Sequence, residues 1–216
     1  MALSHLVFDL DNTLYPPTCG VVERVHELIT AFMVERLAMT PLEADVLRAR
    51  YREELGTTLN GLMRDHGVSP DEYLDYVHAI ELEELLEPDA ALHTMLRGLP
   101  HEKIVFTNGS SAHAERVLAC LGVRECFTDV YSLERVAYVP KPEPAAFLTV
   151  LRAIDVPASR CLLIDDRLDN LRAAGTLGMR TLLVGSATAP GGVDVAVESV
   201  IELPIALRAV DASCAT

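Results

Sequence analysis

The period of apolar positions changes twice along the 216 residues. Residues 4–8, Ser-His-Leu-Val-Phe, form a short apolar run that closes on acids and predicts a buried strand. From about Gly20 to Leu99 the apolar residues recur at three-and-four spacing, the period of helices with one buried face. Val21, Val25, Leu28, Ile29, Phe32 and Met33 make one such stripe, and Leu42, Val46, Leu47 and Tyr51 begin another. Pro41, Gly67 with Pro70, and Pro88 divide this stretch into about four helices. Past residue 100, short apolar runs at 103–106, 130–131, 161–164 and 181–184 predict strands. Helical patterns lie between them at 111–121, 143–154 and 168–177.

Such alternation requires right-handed crossovers and a parallel sheet with helices on both faces. The opening strand joins that sheet. The chain therefore reads as a doubly wound α/β core, residues 1–15 and 100–216, interrupted after its first strand by an all-helical insertion, residues 16–99. Open parallel sheets bind ligands at the carboxyl ends of their strands, so the chemistry belongs there.

Charge narrows the function. Lys+Arg 18 against Asp+Glu 32 gives a net charge of −14. Residues 16–99 hold 7 basic and 16 acidic residues, −9 of that total, as a solvated helical surface would. A nucleic-acid polymer or an anionic membrane needs a basic footprint, which this balance opposes. The longest apolar run, Val117 to Leu121, is five residues, too short to span a bilayer. Phe8-Asp9-Leu10-Asp11 puts acids where the apolar core of a secretion signal would sit. Cys19, Cys120, Cys126, Cys161 and Cys214 contain no C-x-x-C pair and read as small apolar residues of a reducing, cytoplasmic compartment. No pattern speaks for a particular oligomeric state. Of the 18 bases 16 are arginine; the two lysines are Lys103 and Lys141, the latter between Pro140 and Pro142. A site that needs a compact point charge keeps lysine where a flat guanidinium fork would not serve.

Each strand end delivers polar residues. The first gives Asp9-Leu10-Asp11-Asn12-Thr13; the second gives Thr107-Asn108-Gly109 followed by Ser110-Ser111; a later one gives Asp165-Asp166, with Lys141 before the intervening helix. Four carboxylates on one rim cannot all ionise without a compensating cation. Oxygen donors without histidine or cysteine select a hard cation, Mg²⁺ first. Thr107 and the amides of Asn108 and Gly109, opening a helix, offer a cradle for a phosphate dianion, and Lys141 neutralises remaining charge. Asp9 and Asp11, two apart on an extended segment, start on the same side. One can attack phosphorus as a nucleophile while the other serves as general acid and base.

Asp9-Leu10-Asp11-Asn12-Thr13-Leu14-Tyr15, Thr107-Asn108, Lys141-Pro142 and Asp165-Asp166 resemble, in order, the four motifs of the haloacid dehalogenase superfamily of phosphohydrolases. Tyr51 with Gly56-Thr57-Thr58-Leu59, and Phe106-Thr107-Asn108-Gly109 with His113, resemble its pyrimidine 5′-nucleotidase branch. The resemblance implies a Rossmann-like core with a helical cap and a Mg²⁺-dependent phosphatase. Asp9 is then the nucleophile and Asp11 the acid/base, whose main-chain carbonyl also binds Mg²⁺. Thr107 and Lys141 bind phosphate, and Asp165 and Asp166 complete the metal site. Of that pair, Asp166 is favoured for direct contact, with Asp165 acting through water. Dehalogenating relatives lack the second aspartate of the first motif, so Asp11 points to phosphate chemistry. The substrate is expected to be a nucleoside 5′-monophosphate or another small phosphorylated metabolite.

Ordinary explanations compete. Asp9 and Asp11 could be turn formers, Thr107-Asn108-Gly109 a helix cap, and Asp169 and Asn170 helix-start residues. Tyr15, Thr57 and Asn60 could line the mouth of the site or merely pack. The seven histidines show no ligand spacing, and His113 is the one most apt to be an exception. A phosphomutase would use the same site, differing in whether water is kept out. A phospho-accepting signalling or binding module is the alternative of another class, although receivers carry their adjacent acidic pair first rather than last.

Overall fold

The computed structural model describes residues 2–213; Cys214 lies outside them. The elements run β1 (His5–Phe8), α1 (Val21–Leu37), α2 (Pro41–Leu55), α3 (Thr58–His66), α4 (Pro70–Val77), α5 (Ala90–Gly98), β2 (Glu102–Phe106), α6 (Ser111–Cys120), β3 (Asp129–Tyr131), α7 (Pro144–Ile154), β4 (Cys161–Asp165), α8 (Leu168–Thr176), β5 (Arg180–Val184), β6 (Val195–Val197) and α9 (Leu203–Ser213). Among the described residues no helix is long and apolar enough to cross a membrane, and Cys19, Cys120, Cys126 and Cys161 form no disulfide.

The six strands of the described residues are all parallel, in the order β3-β2-β1-β4-β5-β6. Every residue of β4 is buried, as a parallel sheet covered on both faces requires. Edge-to-face rings fill the space above and below the sheet, Phe8 on Phe127 at 5.6 Å and Phe106 on Phe147 at 5.4 Å. The chain builds outward from β1 through β2 to β3, then crosses to β4 on the other side of β1. Winding thus reverses between β1 and β4, which marks the crevice where such sheets bind ligands. Phe8 pairs with Val105 and with Ile164, so one step further Asp9, Phe106 and Asp165 reach the same level.

Two compact units divide the chain: residues 1–19 with 86–216, and Gly20–Leu85. The helical unit is narrower than the 16–99 expected from periodicity, because α5 groups with the sheet. The edge strand β6 and the final helix α9 are elements the apolar pattern did not announce; three residues carry no readable period.

Within the helical unit, Ala38 in the left-handed region ends α1, and Thr40 with Glu43 forms a capping box over Pro41 at the start of α2. The stripe expected on α2 is corrected: Leu42 and Val46 are 74% and 65% exposed, and the buried face is Ala44, Arg48 and Tyr51. Gly61 explains the rotation. A Cβ there would lie 2.0 Å from the Tyr51 ring, so only glycine lets the ring lie against α3, with its hydroxyl donating to Asp65 at 2.8 Å.

Candidate active site

Asp9 leaves the end of β1 still tied to the sheet, its N–H donating to the Ile164 carbonyl at 2.8 Å. The backbone then turns rather than staying extended, with the Leu14 N–H donating to the Leu10 carbonyl at 3.0 Å. Asp9 and Asp11 accordingly meet different neighbours.

Lys141 is the hub of the first group. It is 2% exposed, and its three ammonium protons have three acceptors: Asp9 Oδ1 at 2.7 Å, Asp165 Oδ2 at 2.8 Å and the Phe106 carbonyl at 2.7 Å. Burial opposes its charge, but the Asp165 and Asp9 carboxylates overcome that and hold the ammonium pKa above its usual value. Asn108 fixes the lysine from behind: its amide donates to the Lys141 carbonyl at 2.9 Å and accepts the Lys141 N–H at 2.8 Å. The Asn108 side chain is therefore a bracket for Lys141.

Asp165 is fully buried. It accepts from the Asn170 amide at 3.0 Å on both oxygens and from the Arg167 N–H at 2.9 Å. Asp166, beside it, is half-buried. Asp9, Asp165 and Asp166 each offer a carboxylate oxygen within 4.8 Å of the others. Three carboxylates outnumber one ammonium. Burial, together with Asp165 and Asp166, raises the Asp9 pKa despite Lys141, and burial with Asp165 pushes Asp166 up to about 6. An all-oxygen donor set with excess negative charge fits a hard divalent cation such as Mg²⁺.

Asp11 sits apart from this cluster. Its Oδ1 accepts the Tyr15 hydroxyl at 2.5 Å and contacts His113 Nε2 at 2.9 Å. Burial and Asp11 hold the Tyr15 hydroxyl pKa far above its ordinary range. Thr107 is buried at the end of β2, and its hydroxyl accepts the Gly109 N–H at 2.9 Å. A side chain on Gly109 would crowd this spot, its Cβ falling 3.2 Å from the His113 ring, 3.3 Å from Thr107 Oγ1 and 3.7 Å from Asp11 Oδ2. The helix behind the cradle opens at Ser111, where its apolar period begins and two residues past Gly109. Its first amides are occupied: Ser110 Oγ accepts the His113 N–H at 3.2 Å, and Glu134 accepts the Ser111 N–H at 3.0 Å. Any anion there meets the 107–109 loop rather than the helix terminus.

Thr57 and Asn60 lie in the helical unit, where Thr57 Oγ1 accepts the Asn60 N–H at 3.2 Å and the Asn60 amide donates to the Leu55 carbonyl at 3.2 Å. Both side chains thus stabilise the start of α3. The sequence pattern assigns no role to Thr13, which donates to Asp9 Oδ2 at 3.3 Å; Asn170 is in the first turn of α8 as expected, and its amide additionally holds Asp165. Thr13 follows Asp9 by one helical turn, and that spacing was the available signal.

A family model described as "Hydrolase: haloacid dehalogenase-like hydrolase" matches residues 3–178. The chain is 28% identical over 189 residues to Phosphate metabolism protein 8 of Saccharomyces cerevisiae, an alignment covering 80% of this chain and 58% of that protein. This chain thus spans less than two thirds of the yeast relative. It is 27% identical over 197 residues to a glyceraldehyde 3-phosphate phosphatase of Methanopyrus kandleri, covering 84% of each. Among solved structures, a 2-haloacid dehalogenase from Pseudomonas syringae aligns with a TM-score of 0.61 at 21% identity over 95% of this chain and 98% of that one. The L-2-haloacid dehalogenase from Xanthobacter autotrophicus aligns at 0.63 and 17%, covering 95% and 98%. At those identities the likeness speaks for the fold.

Proposed function

The chain belongs to the haloacid dehalogenase-like hydrolases, and from that premise we propose that it is a Mg²⁺-dependent phosphatase that hydrolyses small phosphate monoesters through an aspartyl phosphate on Asp9. The observation that carries the reading is the buried junction of Asp9, Lys141 and Asp165, with Asp166 beside it, at the switch point of the sheet. Burying that much like charge is unfavourable unless the site exists to hold a cation and an anion. The phosphatase name of one curated relative and the phosphate-metabolism name of another support the reaction class.

In this reaction Asp9 attacks phosphorus while Asp11 gives a proton to the departing oxygen; Asp11 then takes a proton from the water that opens the acyl phosphate. Lys141 fixes Asp9 and favours its ionised form. The Thr107 hydroxyl and the amides of Asn108 and Gly109 hold phosphoryl oxygens. Asp9, Asp166 and the Asp11 main-chain carbonyl would hold Mg²⁺, with Asp165 behind them, and the ion supplies positive charge that compensates the phosphoryl oxygens. Asp166 is favoured over Asp165 for direct contact because the Asp165 oxygens already serve Lys141, Arg167 and Asn170.

Nucleoside 5′-monophosphates are the first substrates to try, followed by triose and sugar phosphates. The test is phosphate release from that panel with Mg²⁺ and with EDTA. Mg²⁺-dependent turnover that disappears in Asp9→Asn supports the reading, whereas release that persists in Asp9→Asn at the wild-type rate removes the nucleophile assignment.

A further inference from the structure

We infer that Tyr15 and His113 are positioning residues that turn Asp11 so that its Oδ2, and not Oδ1, exchanges a proton with the reacting oxygens; this rests on the phosphatase reading above. Oδ1 meets two partners, the Tyr15 hydroxyl at 2.5 Å and His113 Nε2 at 2.9 Å. A carboxyl oxygen has two lone pairs, so two donors fill it. A carboxylate oxygen can only accept, so with Asp11 ionised, as it stands after the leaving group departs, the hydrogen in that contact belongs to the ring and His113 donates. Tyr15 and His113 are 4% and 1% exposed, which keeps water from competing for either bond.

Neither donor moves freely. His113 sits in the first turn of α6, its N–H held by Ser110 Oγ. Tyr15 ends the turn that follows β1. Between them they fix the plane of the carboxyl group. Oδ2 is then directed at the phosphate loop, 3.7 Å from where a Gly109 Cβ would stand, with Thr107 Oγ1 3.3 Å from that same point. Glycine at 109 leaves this approach open.

The steps balance with Oδ2 as the exchanging atom. As the ester P–O bond breaks, its electron pair goes to the leaving oxygen, which takes the proton from Oδ2. Asp11 remains as a carboxylate with Oδ1 still held by both donors. In the second half Oδ2 takes a proton from water as the water oxygen bonds to phosphorus. The electron pair of the phosphorus–Asp9 bond returns to Asp9.

Leaving groups of different basicity test this without reference to pH. An alkyl phosphate needs the proton on departure; p-nitrophenyl phosphate releases a stable anion and does not. The ratio kcat/KM covers the steps through loss of the leaving group. Tyr15→Phe is expected to lower kcat/KM on the alkyl ester about 10-fold and His113→Leu about 100-fold, with the aryl ester changed less than about 3-fold. His113→Gln, which restores an N–H near the Nε2 position, should recover most of the alkyl activity. Equal losses on both esters, or no loss on either, would overturn the inference. Tyr15→Phe removes a single hydroxyl, so it decides the matter even if His113→Leu does not fold. Should the wild-type protein cleave neither ester with Mg²⁺ present, the phosphatase reading falls and takes this one with it. That outcome is distinct from an active enzyme whose variants show no leaving-group dependence.

Discussion

The sheet unit buries Lys141 and Asp165 at 2% and 0% exposure, while the most buried cation of the helical unit is Arg48, at 8%. Their surroundings differ. Arg48 donates to Thr30 and pairs with a single carboxylate, Asp45, at 3.5 Å. In the same unit, Asp65 accepts from Tyr51 and pairs with Arg64 and Arg50, and both arginines also meet Glu54. Charge closes locally there, Arg48 against Asp45 and two arginines against Glu54 and Asp65, bases matched by acids in equal number as expected of side chains that hold helices together. At the strand ends it does not close: Lys141 faces Asp9 and Asp165, with Asp166 next to them. Folding alone gives no reason to concentrate acids in a buried crevice, and local rules fail most often where function overrides them. The unbalanced unit is where the chemistry belongs.

The largest effect should come from Asp9→Asn, which removes one of those acids. Hydrolysis should fall by on the order of 10⁴-fold, read as kcat on the best substrate of the panel. Stability should move the other way. A carboxyl group whose pKa is raised on folding binds more protons folded than unfolded, so its contribution falls as pH rises from the ordinary carboxylate range toward neutrality. Without divalent cation, the melting temperature of Asp9→Asn relative to wild type should therefore climb between about pH 4 and about pH 7. Mg²⁺ should reverse that order by stabilising the wild type. A flat difference across pH would mean that Asp9 carries no excess charge.

Lys141→Met comes next. It leaves Asp9 and Asp165 buried without their ammonium, at a cost of about 3–5 kcal/mol by urea unfolding of the whole chain. A loss under about 1 kcal/mol would show that water reaches the pair and screens it. Asn108→Ala should cost less, because it removes only the bracket on the Lys141 backbone.

These residues differ in how far the sequence reveals them. Asp9, Thr107 and Asp165 were legible because each closes an apolar run, and the parallel sheet turns run-ends into one rim. Lys141 stood out as one of only two lysines. The Asn108 bracket was not legible, since its partner lies 33 residues away and the contact exists only in three dimensions. The limits of the helical insertion failed for a related reason: α5 has the same period as α1 to α4, and period cannot tell which surface a helix packs against. On α2 the hydrophobic count favoured Leu42 and Val46, but the fit of Tyr51 over Gly61 decided the rotation. Gly61→Ala tests that. A methyl 2.0 Å from the ring must displace it, so roughly 1–3 kcal/mol should be lost from the helical unit, with the sheet unit unaffected in a hydrogen-exchange map.

Thr40→Ala should have the smallest effect and the most informative pH dependence. Glu43 accepts from the Thr40 N–H at 2.8 Å and from its hydroxyl at 2.7 Å, and those bonds hold the Glu43 pKa below its usual value. Removing the hydroxyl should lower the melting temperature by a few degrees at most, with hydrolysis unchanged. A depressed carboxyl pKa contributes stability above the ordinary glutamate range and loses it as pH falls through the depressed value. Wild type and Thr40→Ala should therefore converge on acidification. Asp9→Asn should instead gain on wild type as pH rises. Opposite slopes in the two variants would separate a carboxylate that folding favours from one that folding tolerates for the sake of what it binds; parallel slopes would erase the distinction between the units.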